Sequence, residues 1–194
     1  MKTAKITAWY IILILAAIAV SLISPHVPQT RQLSGLPPTW QVHFSPRGGA
    51  TSAIKAALDR AEQSVLVQAY SFTSAPIAEA LVRAHKRGVN VQVILDRSQR
   101  TQKYTISDML ILAGIPVLFD ASHTIAHNKV IIIDSVVVIT GSFNFTKAAE
   151  ERNAENLLIV NDSRLATLYT DNWHHHQRHS ITYLERGRPI HNYR

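Results

Sequence analysis

Two apolar runs, residues 130–133 and 136–139, are separated by nothing but Asp134-Ser135, and no other feature restricts the fold of this chain as strongly. A polar break that short between β-branched runs leaves a hairpin as the local solution. The hairpin then decides where its flanking residues go. His127 and Lys129 precede the first run, and Gly141, Ser142 and Asn144 follow the second. An imidazole, an ammonium, a hydroxyl and a carboxamide therefore meet at one edge of a sheet.

The rest of the chain supplies the sheet. Residues 40–45 alternate, with Trp40, Val42 and Phe44 set against Gln41, His43 and Ser45, which predicts a first strand. A helix capped near Thr51 or Ser52 follows, with Ile54, Ala57, Leu58 and Ala61 on one face. Residues 65–70 read as the next strand, and Ser74 caps a second helix that turns Ile77, Ala80, Leu81 and Ala84 inward and ends at Gly88. Residues 89–95 return as strand, 100–113 carry a third helix (Ile106, Met109, Leu110, Ala113), and 117–119 form a short strand. After the hairpin, 153–160 give one more strand, and 163–176 a last helix with Leu165, Leu168, Tyr169 and Trp173 inward. Strands alternating with helices in the first half argue for βαβ units. The expected fold class is α/β, a mixed β-sheet sandwiched between helices on both faces.

Within 194 residues this is one domain, expected at 40–180, after an N-terminal segment (1–24) and a proline-containing linker (25–39), with a basic tail at 181–194. Lys2 and Lys5 precede an apolar stretch over residues 8–23, and Ala17-Ile18-Ala19 offers the small residues that signal peptidases accept. Those sixteen residues fall short of the ~20 that span a bilayer, so a cleaved signal is favoured over an anchor. Either way the domain is expected outside the cytoplasm, periplasmic or secreted, with contact to a membrane only through an uncleaved N-terminus. The absence of cysteine excludes disulfides, thiolate metal sites and a cysteine nucleophile. A formal charge of +7 favours a polyanionic partner, either nucleic acid or an acidic membrane.

The polar edge suits such a partner. Side chains alternate along a strand, so His127 and Lys129 share a face with Cα atoms about 6.6 Å apart, close enough for one phosphate to touch both. Asp134 lies an odd number of residues from His127 and is expected to face away, in a structural role. Ser142 and Asn144 share a face, and Gly141 lets the backbone approach a ligand oxygen. Hydroxyl, amide and ammonium donors fit the non-bridging oxygens of a phosphodiester. Among these groups the imidazole alone can act as nucleophile or proton carrier, and an unperturbed one titrates at about pH 6.5.

The pattern His127-x-Lys129, Asp134, Gly141-Ser142-x-Asn144 resembles the signature of the phospholipase D superfamily at six positions. The segment 141–146, with Asn153-Ala154-Glu155-Asn156 downstream, is most similar to the small, single-motif bacterial endonucleases of that superfamily. The resemblance implies a site built from two copies of the motif. Because this chain carries one copy, it implies a symmetric homodimer that brings both His127 side chains to one phosphate. It further implies a phosphohistidine intermediate, phosphate binding by Lys129, Gly141, Ser142 and Asn144, support of the imidazole by Glu155, and chemistry that needs no metal or other cofactor. DNA is the implied substrate, with RNA as a further candidate. A phospholipid phosphodiesterase or phosphatidyl transferase, and a binding module without catalysis, are the alternatives.

Three other groups of residues attract notice. His174, His175, His176 and His179 could hold a metal, but consecutive residues on a helix diverge, which favours a solvated or loosely metal-binding tail over a catalytic site. His43, Phe44 and Pro46 are candidates for the cleft lining. The basic clusters Arg83, Lys86, Arg87 and Arg97, Arg100, Lys103 could follow a nucleic-acid backbone or merely face solvent.

Overall fold

The computed structural model of the chain describes residues 38–102 and 105–182, so the expected N-terminal signal or anchor, all but the end of the expected linker, Lys103 and the tail beyond Thr182 lie outside the described residues. The chain runs β1 (Thr39–Ser45), α1 (Ala50–Asp59), β2 (Ser64–Ala69), α2 (Ala75–Lys86) and β3 (Asn90–Asp96). A 3-10 turn (Arg97–Arg100) leads to α3 (Ser107–Leu112) and β4 (Val117–Asp120). The hairpin strands β5 (Lys129–Ile133) and β6 (Val137–Gly141) follow, then α4 (Lys147–Glu151), β7 (Glu155–Asn161), α5 (Ser163–Gln177) and β8 (Ser180–Thr182). All eight strands join one sheet in the order β1-β7-β6-β5-β2-β3-β4-β8. Only β2-β3 and β3-β4 pair in parallel, as the two helical crossovers require, and the remaining pairs are antiparallel. This is the expected mixed α/β sandwich.

Burial follows the strand parity. Ile131, Ile133, Ile139 and Leu157 pack with Ile54, Leu58, Ile77 and Leu81 of α1 and α2 on one face. Val130, Ile132 and Val138 pack with Ala166 and Trp173 of α5 on the other. Every residue of β5 is buried, which explains its uninterrupted apolar sequence. Trp173 is fastened as well as buried, because its indole N–H donates to Val67 O at 2.9 Å.

The differences from the sequence reading have physical causes. Helix α1 is not capped by Thr51 or Ser52. Its N-cap is Gly49, at φ 76, and the Glu150 carboxylate of α4 accepts from Gly49 N at 3.1 Å and Thr51 N at 2.7 Å. Ser74 occupies the N-cap of α2 but makes no side-chain cap bond. The expected third helix is divided. Asp96 caps the 3-10 turn through Ser98 N, and Gln99 turns inward to accept from Phe72 N at 3.2 Å, so helix resumes only at Ser107. In α5 the stripe facing the sheet is Leu165, Ala166, Tyr169 and Trp173, while Leu168 is 67% exposed. The short helix α4 and the strand β8 have no periodicity long enough to announce them, and β8 adds an edge strand to the sheet at Ser180–Thr182. No helix of the described residues is long and apolar enough to cross a membrane.

Candidate active site

Lys129 opens β5 and pairs with Ala69 at the C-terminal end of β2. Just before it, the chain is held at two points. Tyr70 N donates to Asn128 O at 2.8 Å, and Ala126 N donates to the buried carboxylate of Asp96 at 2.7 Å. His127 is thus carried on a short backbone segment clamped on both sides. The Lys129 ammonium, only 5% exposed as a residue, donates to His127 O at 2.8 Å and lies 2.9 Å from His127 Nδ1. The Tyr70 ring completes the group, with its centroid 4.5 Å from that of His127 and 5.1 Å from Lys129 Nζ.

Burial lowers the Lys129 pKa below the ordinary lysine value, and the nearby Glu155 carboxylate partly opposes that shift. An ammonium has no lone pair, so a charged Lys129 can only donate to Nδ1. The neutral imidazole then carries its proton on Nε2.

The second half of the edge comes from the segment after β6. Phe143 and Phe145 are buried at 1% and 0% exposure, and they alternate with Ser142 and Asn144, which turn the other way. Phe145 bridges to Phe72, its O accepts from Thr73 N and Ser74 N, and its N donates to Ser71 O. Ser142 Oγ accepts from Asn156 N at 3.0 Å, which leaves its own O–H to donate elsewhere. Asn144 Oδ1 is buried and has no partner among the described residues. Gly141 sits at φ 149, and a Cβ there would lie 2.3 Å from Asn156 O. Its missing side chain therefore makes room for β7 of the same chain, a packing reason for the glycine in addition to the ligand approach expected from sequence.

Glu155 begins β7, and its carboxylate accepts from Asn153 Nδ2 at 3.0 Å; its influence on the site is felt at Lys129. Asp134 lies at the far end of the hairpin, about 16 Å along β5 from Lys129. It has φ 52, and its carboxylate accepts from Glu62 N, Gln63 N and Ser64 N at 3.0, 2.8 and 2.8 Å. A cleft of about 250 Å³ lined by Trp40, Arg60, Asp134 and Asn161 is also at that end.

Most of the other candidates are occupied within the fold. His43 Nδ1 faces Gly48 O at 3.1 Å. Arg83 forms a forked pair with Asp59, Arg87 caps the carbonyls of Leu58 and Ala61, and Arg100 is buried over Phe119. Lys86 and Arg97 are exposed. Sequence reasoning missed Tyr70, Asp96 and Asn156. Tyr70 and Asp96 did carry a legible signal, a polar residue closing an apolar strand at the edge where the hairpin opens.

Residues 54–176 match the family described as cardiolipin synthase, phospholipase D-like domain. A curated relative named phospholipase D, from Rickettsia felis, is 51% identical over 130 residues, which is 67% of this chain and 65% of the relative. The chain thus spans slightly under two thirds of that relative's length. Among solved structures, the phospholipase D family member Nuc from Salmonella typhimurium superposes with a TM-score of 0.72 at 42% identity, covering 75% of this chain and 98% of that one. NucT from Helicobacter pylori superposes at 0.70 and 25% identity, with 75% and 99% covered.

Proposed function

The chain belongs to the phospholipase D-like family, and on that premise we propose that it is a phosphodiesterase that cleaves nucleic acid as an endonuclease, through a phosphohistidine on His127. The observation that carries this reading is the β5-β6 pairing, which sets the segment of His127 and Lys129 beside that of Ser142 and Asn144. That edge offers one nucleophile among several donors, on a chain of charge +7, with Phe44 and Ile125 as exposed apolar side chains beside it. Such an edge suits an extended polyanion better than an acyl chain.

A single edge is half of what the chemistry needs, because one imidazole cannot attack phosphorus and protonate the leaving oxygen at the same moment. A symmetric homodimer supplies the second. The His127 Nε2 lone pair attacks phosphorus as the P–O bond breaks, and the leaving oxygen takes a proton from His127 of the partner subunit. Water then attacks the phosphohistidine, the partner's His127 takes its proton, and the P–N bond breaks. The two roles need different protonation states. Attack requires a neutral ring with its proton on Nδ1, where a carboxylate such as Glu155 is the acceptor that would hold it, and proton donation requires a ring protonated on both nitrogens. In either role Nδ1 carries a proton and the contact with Lys129 opens. Lys129, Ser142 and Asn144 hold the equatorial oxygens. Metal is not used in these steps. The exposed apolar side chains Trp40, Val42 and Phe44 on β1, next to the strand of Glu155, support a protein partner on this side.

His127→Ala is expected to abolish cleavage of plasmid DNA in the presence of EDTA, and full activity in that variant overturns the mechanism. Mixed dimers of wild-type and His127→Ala chains should be inactive, because they share one composite site. Retention of half the activity would remove the dimeric site while leaving His127 in place.

A second reading follows from the Rickettsia relative's name, a phospholipid phosphodiesterase. Parallel incubation with plasmid DNA and with anionic phospholipid vesicles separates the two. Action outside the cytoplasm, suggested by Lys2, Lys5 and the apolar stretch at 8–23, is tested by cell fractionation.

A further inference from the structure

The four histidines near the end of α5 do not act together. His174 Nδ1 faces Gln177 Oε1 at 3.0 Å, and His175 Nδ1 accepts from Arg178 Nη2 at 3.1 Å. His176 and His179, one turn apart, face inward instead. Both meet the carboxylate of Asp120, the last residue of β4, and His123 from the β4–β5 connection meets it too. Asp120 Oδ2 lies 2.7 Å from His176 Nδ1, 2.9 Å from His123 Nδ1 and 3.4 Å from His179 Nε2. The three rings are mutual neighbours, with centroids 4.9, 5.2 and 5.3 Å apart.

Hydrogen bonds can satisfy this arrangement, because each neutral imidazole can turn one N–H to a carboxylate whose two oxygens offer about four lone-pair sites, and His123 Nδ1 also lies 3.1 Å from Asp120 Oδ1. The same three imidazoles and one carboxylate are equally a complete donor set for a tetrahedral cation once the rings turn lone pairs inward.

We propose that Asp120, His123, His176 and His179 bind one divalent transition-metal ion of the zinc class, forming a closed structural site. One ligand atom from each residue lies within 4.8 Å of all the others. Bonds of about 2.0–2.1 Å in a tetrahedron place donors roughly 3.3 Å apart. The separations from Asp120 already straddle that value, and donor pairs as far apart as 4.8 Å would close by about 1.5 Å on binding. Three imidazoles with one carboxylate favour zinc over calcium or magnesium, which prefer oxygen donors. Asp120 is fully buried, while the His123 side chain is 46% exposed, which gives the ion a way in.

The site joins segments that are distant in sequence. Asp120 and His176 are 56 residues apart, and His123 precedes His127 by four residues on the same connection. Three strand spacings, about 14 Å, separate β4 from β5 at this edge. The ion is therefore remote from the phosphorus chemistry and would fix the connection that leads to His127.

The test is zinc binding by the full chain after chelator treatment, followed by calorimetric titration and metal analysis. One equivalent per chain is expected, with a thermal midpoint raised by about 5–10 °C at a hundredfold excess over Kd. His123→Ala should remove both effects. Its side chain is half-exposed and off the helix, so its loss spares the core, and circular dichroism checks this. The double variant His174→Ala/His175→Ala should keep both effects. Any other pattern overturns the proposal, including no zinc bound by the wild type, or binding that survives His123→Ala but vanishes with the His174/His175 pair. Catalysis does not enter these readouts, so the outcome is independent of the nuclease reading.

Discussion

Asp134 is the one charged residue of the signature placed away from the site, and its replacement separates structure from catalysis. Its carboxylate accepts three backbone N–H groups, from Glu62, Gln63 and Ser64, while its own backbone sits at φ 52. Hydrogen bonds to a charged group contribute about 1.5–3 kcal/mol when dry, and these are partly wet, so about 1 kcal/mol each is appropriate. Alanine also resists the left-handed region by about 1 kcal/mol, which aspartate and asparagine tolerate. Asp134→Ala should then lose about 4 kcal/mol, Asp134→Gly about 3 because it relieves the backbone, and Asp134→Asn about 2. For a domain of this size, 4 kcal/mol corresponds to a fall in Tm of about 8–16 °C. Urea denaturation measures the series, and cleavage assayed at 20 °C on the folded fraction should stay within twofold of the parent. A stability loss under 1 kcal/mol for Asp134→Ala, or a tenfold loss of kcat in a fully folded variant, refutes the reasoning.

Other substitutions probe other links. Glu155→Gln removes the charge that partly sustains the Lys129 ammonium against burial, so the alkaline limb of kcat/KM should move to lower pH. Lys129→Arg, if active, should move that limb to higher pH, because a guanidinium stays charged. Gly141→Ala drives a Cβ to within 2.3 Å of Asn156 O and should lose about 3 kcal/mol or more, read as a lower urea midpoint, with the strand pair β6-β7 opening first in hydrogen exchange. Glu150→Gln weakens the cap on Gly49 and Thr51 and should lower stability by about 1–2 kcal/mol by the same assay, with the turnover of the folded enzyme unchanged.

What the sequence revealed and what it hid divide along contact range. The hairpin, the shared edge of His127 and Lys129, and the outlying position of Asp134 all follow from spacing over about a dozen residues, where strand periodicity is decisive. The cap of α1 was misassigned because its acceptor, Glu150, arrives from 101 residues downstream. Leu168 reads as core by helical periodicity, yet the flat sheet takes Leu165, Ala166, Tyr169 and Trp173 and leaves Leu168 in water. The histidines near the end of α5 were judged by their adjacency, which is correct for His174 and His175. For His176 and His179 the deciding partner is Asp120, which no local pattern connects to them. The sharing of β7 between Gly141 and Asn156 is equally invisible until the strands are laid side by side.

The pairing of β1 with β7 has a bearing on how the molecule is made. Strand β1 is the first described element to leave the ribosome, but its neighbour spans Glu155–Asn161, so Thr39 meets Asn161 only after more than a hundred further residues have been synthesised. Until then Trp40 and Phe44, 69% exposed even in the finished fold, sit on a strand with no neighbour at all. A nascent chain in this condition is exposed to mispairing, and a product truncated before residue 155 would keep an orphan sticky strand for its whole lifetime. Strand β7 releases β1 from that hazard and, in the same pairing, sets Glu155 beside Ser45.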